Sequence, residues 1–103
     1  MPLPTLTPEQ RSEAAARAAA ARKLRAQVRA DLKASSVRVS QVVERSAHDD
    51  ALAKLKVSAL LEAIPGIGKV KATSIMERLG IAQSRRLRGL GPHQIDALKR
   101  EFG

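Results

Sequence analysis

The sequence predicts an all-α fold: a long basic N-terminal helix followed by a small helical domain. Three observations carry this expectation. Apolar residues recur at helical spacing, most clearly at Val57, Leu60, Leu61 and Ile64, and no segment alternates apolar and polar side chains as a strand would. Helix starts and stops are spelled out by Thr7-Pro8, Pro65, Gly80 and Pro92. The core must be built from Leu, Ile, Val and Ala, because Phe102 is the single aromatic, and such a core suits small packed helices.

The first helix is expected over residues 8 to 33. Thr7 can cap it, Pro8 fits the first helical position, and Gln10 stands where a capping box places it. Alanine dominates this stretch and has the best intrinsic helix propensity. At 100° per residue, Arg11, Arg22, Arg25, Arg29 and Lys33 fall close to one line. Beside them runs a seam of Ala14, Ala21, Leu24, Val28 and Leu32. Only its C-terminal half carries large apolar groups, so only that half should pack on the rest of the chain.

Ser35-Ser36 ends the pattern. Val39, Val42 and Val43 give a short helix near 37 to 46, and Asp49 or Asp50 can cap another containing Leu52 and Leu55. An amphipathic helix follows over 57 to 63, stopped by Pro65. After Gly68 a further helix carries Ala72, Ile75, Met76 and Leu79 on one face and ends at Gly80. Ser84 can open a single helical turn over Arg85 to Leu87. Pro92 begins the last helix, with Ile95, Leu98 and Phe102 as its buried stripe.

Charge points to the partner. The 103 residues hold 19 Lys plus Arg against 10 Asp plus Glu, a net charge of +9. A small protein this basic meets a polyanion. Six of the cations (Lys69, Lys71, Arg78, Arg85, Arg86 and Arg88) lie within residues 65 to 93, against Glu77 alone. Other chemistries find little material. Cysteine is absent, and His48 and His93 are far apart, so no metal site is expected. A covalent role for Lys69 would need a carboxylate helper, and Asp96, the only aspartate of the C-terminal half, falls on the polar side of its helix. The start "MPLPTLTPEQ" has no apolar run, and no stretch approaches the ~20 apolar residues of a membrane span, so a cytoplasmic protein is expected.

Pro65-Gly66-Ile67-Gly68 joins two helices by a tight turn. The glycines let the backbone bend and let peptide N–H groups approach an outside anion. Those groups open the next helix, where the dipole favours negative charge. Ile67 can point inward to pin the loop, while Lys69 and Lys71 add full charges. Such a grip holds a phosphate without reading a base.

The segment "LLEAIPGIGKVKA" resembles a helix-hairpin-helix, and the stretch from "PGIGKVKATSIMERLGI" to "RRLRGLGPHQIDALKREFG" resembles a helix–two-turns–helix unit. That unit occurs in a small-subunit ribosomal protein and in some DNA repair glycosylases. From "LTPEQR" through "KLKVSALLEAIPGIGK" to "RRLRGLG", nearly the whole chain resembles the actinobacterial type of integration host factor. The resemblance implies a non-catalytic, nucleoid-associated monomer that binds and shapes duplex DNA with little sequence specificity. It implies contacts from Gly66, Ile67, Gly68, Lys69 and Lys71 in the hairpin and from Arg85, Arg86, Arg88 and Gly89 in the turn. It also implies a monovalent cation held by the hairpin when DNA is bound, with no other cofactor. Residues 1–35 would form the extended helix and 36–103 the DNA-binding domain. The line of Arg22, Arg25 and Arg29 is either a solvated face or a second DNA contact. A ribosomal-type RNA-binding protein is the alternative; the lack of stacking aromatics favours DNA. Ser35-Ser36 departs from the glycine expected at that joint.

Overall fold

A computed structural model describes residues 5–103 and places six α-helices and one 3₁₀ turn among them. Residues 1–4, where the stretch read as lacking a secretory signal begins, lie outside the described residues. The helices are α1 (Pro8–Lys33), α2 (Val39–Ser46), α3 (Asp50–Ala53), α4 (Val57–Glu62), α5 (Lys69–Leu79) and α6 (Pro92–Phe102), with the 3₁₀ turn at Leu87–Gly89. No strand is present among the described residues, so the all-α expectation holds.

α1 starts where the capping box predicts. Gln10 donates its backbone N–H to Thr7 Oγ1 at 3.1 Å, and Thr7 N–H donates to Gln10 Oε1 at 2.9 Å. A helix of 26 residues spans about 39 Å. That length explains why the molecule measures 46 Å along one axis but 32 and 25 Å along the others. The apolar seam divides as expected. Val28 and Leu32 are buried, Leu24 is half-buried, and the alanine-rich first half stands mostly exposed.

The joint after α1 is a Schellman motif without glycine. Ser36 N–H donates to Asp31 O at 2.9 Å and Ser35 N–H to Leu32 O at 3.0 Å. This geometry puts Ser35 at φ +58°, the only non-glycine residue with a positive φ among those described. Ser36 Oγ adds a bond to Asp31 O at 3.1 Å. The serine pair therefore supplies the turn that glycine would supply, at the cost of left-handed strain at Ser35.

One hydrophobic cluster runs through the body. Leu52, Leu60, Leu61, Met76 and Leu98 are fully buried, each contributing about 1.5–3 kcal/mol by removal from water. α1 packs on α3 and α4, α4 packs on α5, and α2 packs on α3 and α6. Two ion pairs pin α6: Lys99 to Glu44 on α2 at 3.2 Å, and Arg78 on α5 to Glu101. Leu98 is the buried centre of the α6 stripe, while Ile95 and Phe102 are half-buried against the cluster.

Three expected boundaries shift. α2 begins at Val39, because Arg38 is extended and donates its N–H to Gln41 Oε1 at 2.8 Å. α3, capped by Asp49 Oδ1 on Ala51 N–H at 3.0 Å, stops at Ala53 and leaves Leu55 outside. The helical turn expected over Arg85 to Leu87 falls instead at Leu87–Gly89. The reason for the last two is tertiary. Val57 N–H donates to Arg85 O at 3.0 Å and Leu87 N–H to Leu55 O at 2.9 Å, around an antiparallel bridge between Lys56 and Arg86. Lys56 and Arg86 are held extended by this pairing, and a helix starts directly after each of them. Local periodicity carries no signal for so short a pairing.

Candidate nucleic-acid interface

The hairpin between α4 and α5 is built by a β-turn. Ile67 N–H donates to Ile64 O at 3.1 Å, with Pro65 and Gly66 at the corners. Gly66 has φ +83°, so this is a type II turn, which requires a positive φ at its third residue. Gly68 differs from expectation. Its φ of −91° is open to any residue, and a Cβ there would meet nothing within 4 Å. Its bareness is not needed for the bend; it leaves the start of α5 uncovered. Ile67 is buried in the core cluster, so it anchors the loop from within rather than facing outward.

α5 has no side-chain cap. The N–H groups of Gly68, Lys69, Val70 and Lys71 find no acceptor among the described residues. In α1 and α3 a side chain fills that role. Here the donors, the positive helix end, and the exposed Lys69 and Lys71 all stand open to an outside oxyanion. Behind them Ala72, Ile75 and Met76 bury the opposite face of α5. Arg78, further along α5, is engaged with Glu101 and is not part of this open set.

The arginine turn forms a second feature. Arg85, Arg86 and Arg88 are all exposed and line a shallow hollow of about 320 Å³ with Ser84 and Gly89. Buried Leu87 holds the turn to the core. Two of the guanidiniums have separate anchors. Arg85 Nη1 donates to Gly89 O at 3.0 Å, and Arg86 Nη1 donates to Lys54 O at 2.6 Å.

Arg86 also lines a neighbouring groove of about 270 Å³. There the structure brings Arg22, Arg25 and Arg29 of α1 together with Lys54 and Lys56. Six cations meet in this groove, and no carboxylate lines it. Arg25 is half-buried and donates Nη1 to Ala51 O at 3.2 Å, so it also holds α1 against α3. Like charges gathered at this density repel, at about 0.2–0.5 kcal/mol for each close helical pair, unless an anion joins them. Neither hollow includes a residue of the 65–71 hairpin.

Lys54 and Lys56 escaped the reading of the sequence. No local pattern marks them: Lys54 is the helical C-cap of α3, Lys56 is extended, and the bridge of Lys56 with Arg86 is what brings them to the groove. His93, in the first turn of α6, is exposed and lines neither hollow. Among the described residues no group of three or more His, Cys, Asp or Glu is placed to hold a metal ion.

Comparison with known proteins gives the family of this fold. Residues 32–102 match the model of the S13-like H2TH domain. The integration host factor of Streptomyces coelicolor is 56% identical over 103 residues, covering 100% of this chain and 96% of that protein. The integration host factor of Mycobacterium tuberculosis is 52% identical over 103 residues, covering 100% of this chain and 98% of that protein. A solved structure of sIHF bound to an 8bp palindromic DNA superposes with a TM-score of 0.82 at 55% identity, covering 84% of this chain and 98% of that one. The chain, with its H2TH body and its long basic first helix, belongs to the integration host factor family of actinobacteria.

Proposed function

We propose that this protein binds duplex DNA through backbone phosphates, with little sequence specificity, and shapes the duplex as a nucleoid-associated architectural protein. The observation that carries the reading is the pair of carboxylate-free cationic hollows that share Arg86. The open amides of Gly68 to Lys71, with Lys69 and Lys71, grip one phosphate run. Arg85, Arg86 and Arg88 reach a second. The groove of Arg22, Arg25, Arg29, Lys54 and Lys56 offers a further contact along the DNA or with another duplex. The DNA-bound state of a relative at 55% identity supports the choice of partner. Contacts of this kind position a protein and carry no base readout.

The role is binding without catalysis and places the protein with the chromosome. Asp96 is exposed on α6, on the polar side where the sequence puts it. No helix of the described residues is long and apolar enough to cross a membrane. The main-chain carbonyls of Gly66 and Ile67 accept no hydrogen bond among the described residues, which fits a monovalent cation bridging the hairpin to a bound phosphate.

The test is a salt titration of binding to duplex DNA and to structured RNA of equal length. Each phosphate neutralised should contribute about −0.9 to the log–log slope on DNA. DNA should bind more tightly at physiological salt. Tighter binding to the RNA would replace this reading with the ribosomal-type alternative.

A further inference from the structure

Gly89 closes the 3₁₀ turn, and its backbone does not demand a glycine, because its φ lies outside the left-handed region. What a side chain would meet is Arg85. A Cβ at Gly89 would lie 2.8 Å from Arg85 Cδ and 3.3 Å from its Nη1. Arg85 lies folded across the bare backbone and donates Nη1 to the Gly89 carbonyl at 3.0 Å. The colliding atoms belong to a flexible side chain. An added methyl would therefore swing Arg85 aside rather than disturb the core, which here rests on Leu87.

We propose that Gly89 is a positioning residue. Its missing side chain is the seat that holds the Arg85 guanidinium in place before the partner arrives. This rests on the reading of Arg85 as a phosphate contact, and it assigns Gly89 a role through Arg85 rather than a contact of its own. Arginine has much rotamer freedom to lose, and losing it in the free protein spares that loss on binding. The neighbouring Arg86 is held by a separate acceptor, Lys54 O. The turn thus presents two guanidiniums anchored separately, each with N–H donors left for phosphate.

Two measurements on the intact chain test this. The first needs no DNA: the Arg85 Nε–Hε resonance should be dispersed and slowly exchanging in the wild type, and should collapse toward free arginine in Gly89→Ala. An unchanged resonance in that variant overturns the seat. The second is a double-mutant cycle on duplex DNA affinity with Gly89→Ala, Arg85→Ala and both. Gly89→Ala should weaken binding roughly two- to tenfold, with no further effect once Arg85 is alanine. Multiplying effects would show that Gly89 acts by another route and overturn the inference. If the resonance behaves as expected but Arg85→Ala binds like wild type, the seat stands as structure. The assignment of Arg85 to the DNA contact is then refuted, and with it the functional part of the proposal. Arg85→Lys keeps the charge but loses the fork, so its affinity should be indifferent to Gly89→Ala; sensitivity there would also count against the seat. Thermal melts of every variant confirm the fold.

Discussion

Replacing Arg85, Arg86 and Arg88 together by alanine tests the functional reading most directly. All three are exposed, and none pairs with a carboxylate among the described residues. Their bonds in the free protein run only to the carbonyls of Gly89 and Lys54. Losing such bonds costs about 0.5–1.5 kcal/mol each, so the fold should survive. If each arginine neutralises one phosphate, the log–log salt slope should flatten by about 2.7. Counted from 1 M down to 0.15 M salt, that is a loss of ~10²-fold in affinity. Fluorescence anisotropy on a duplex of 20 to 30 base pairs (a length of about two to three helical turns), repeated across salt, reads both quantities. Circular dichroism melts control for folding. The triple lysine variant separates charge from geometry: it should keep most of the slope while losing affinity to the poorer fork. A folded alanine variant whose slope moves by less than about 1 would refute the assignment of the turn to phosphate.

Further outcomes follow from particular residues. Lys54→Ala with Lys56→Ala should flatten the slope by up to about 1.8 if the groove carries DNA, and by nothing if it is only solvated. Gly66→Ala forces alanine into φ +83° and should cost about 1–2 kcal/mol in denaturant unfolding. Gly68→Ala should leave stability unchanged, because its methyl meets nothing within 4 Å, but weaken DNA binding by adding bulk on the open side of the turn where a phosphate would approach; equal melting losses for the two glycine variants would contradict the turn analysis. Ser35→Gly relieves left-handed strain and should raise stability by about 0.5–1 kcal/mol net of glycine's greater unfolded freedom, seen as a higher melting temperature. Leu60→Ala empties a fully buried site of α4 and should cost about 2–5 kcal/mol, lowering stability far more than any surface change above.

The sequence alone determined the helices and the kind of partner. Capping at Thr7 and Asp49, the stops at Pro65 and Gly80, and the spacing of apolar residues are short-range matters that neighbouring side chains decide, so α1, α4 and α5 were legible within a residue or so. The hairpin was legible for the same reason, since Pro-Gly at its corners dictates the turn. The excess of cations needs no structure to be counted. Tertiary structure decided where those cations meet. The pairing of 55–57 with 85–87 displaced the expected helical turn and set Arg86 beside Lys54 and Lys56. The packing of α1 on α3 and α4 then brought Arg22, Arg25 and Arg29 to the same groove. Such meetings join residues thirty positions apart, and hydrogen bonds and buried leucines elsewhere enforce them, so no local pattern records them.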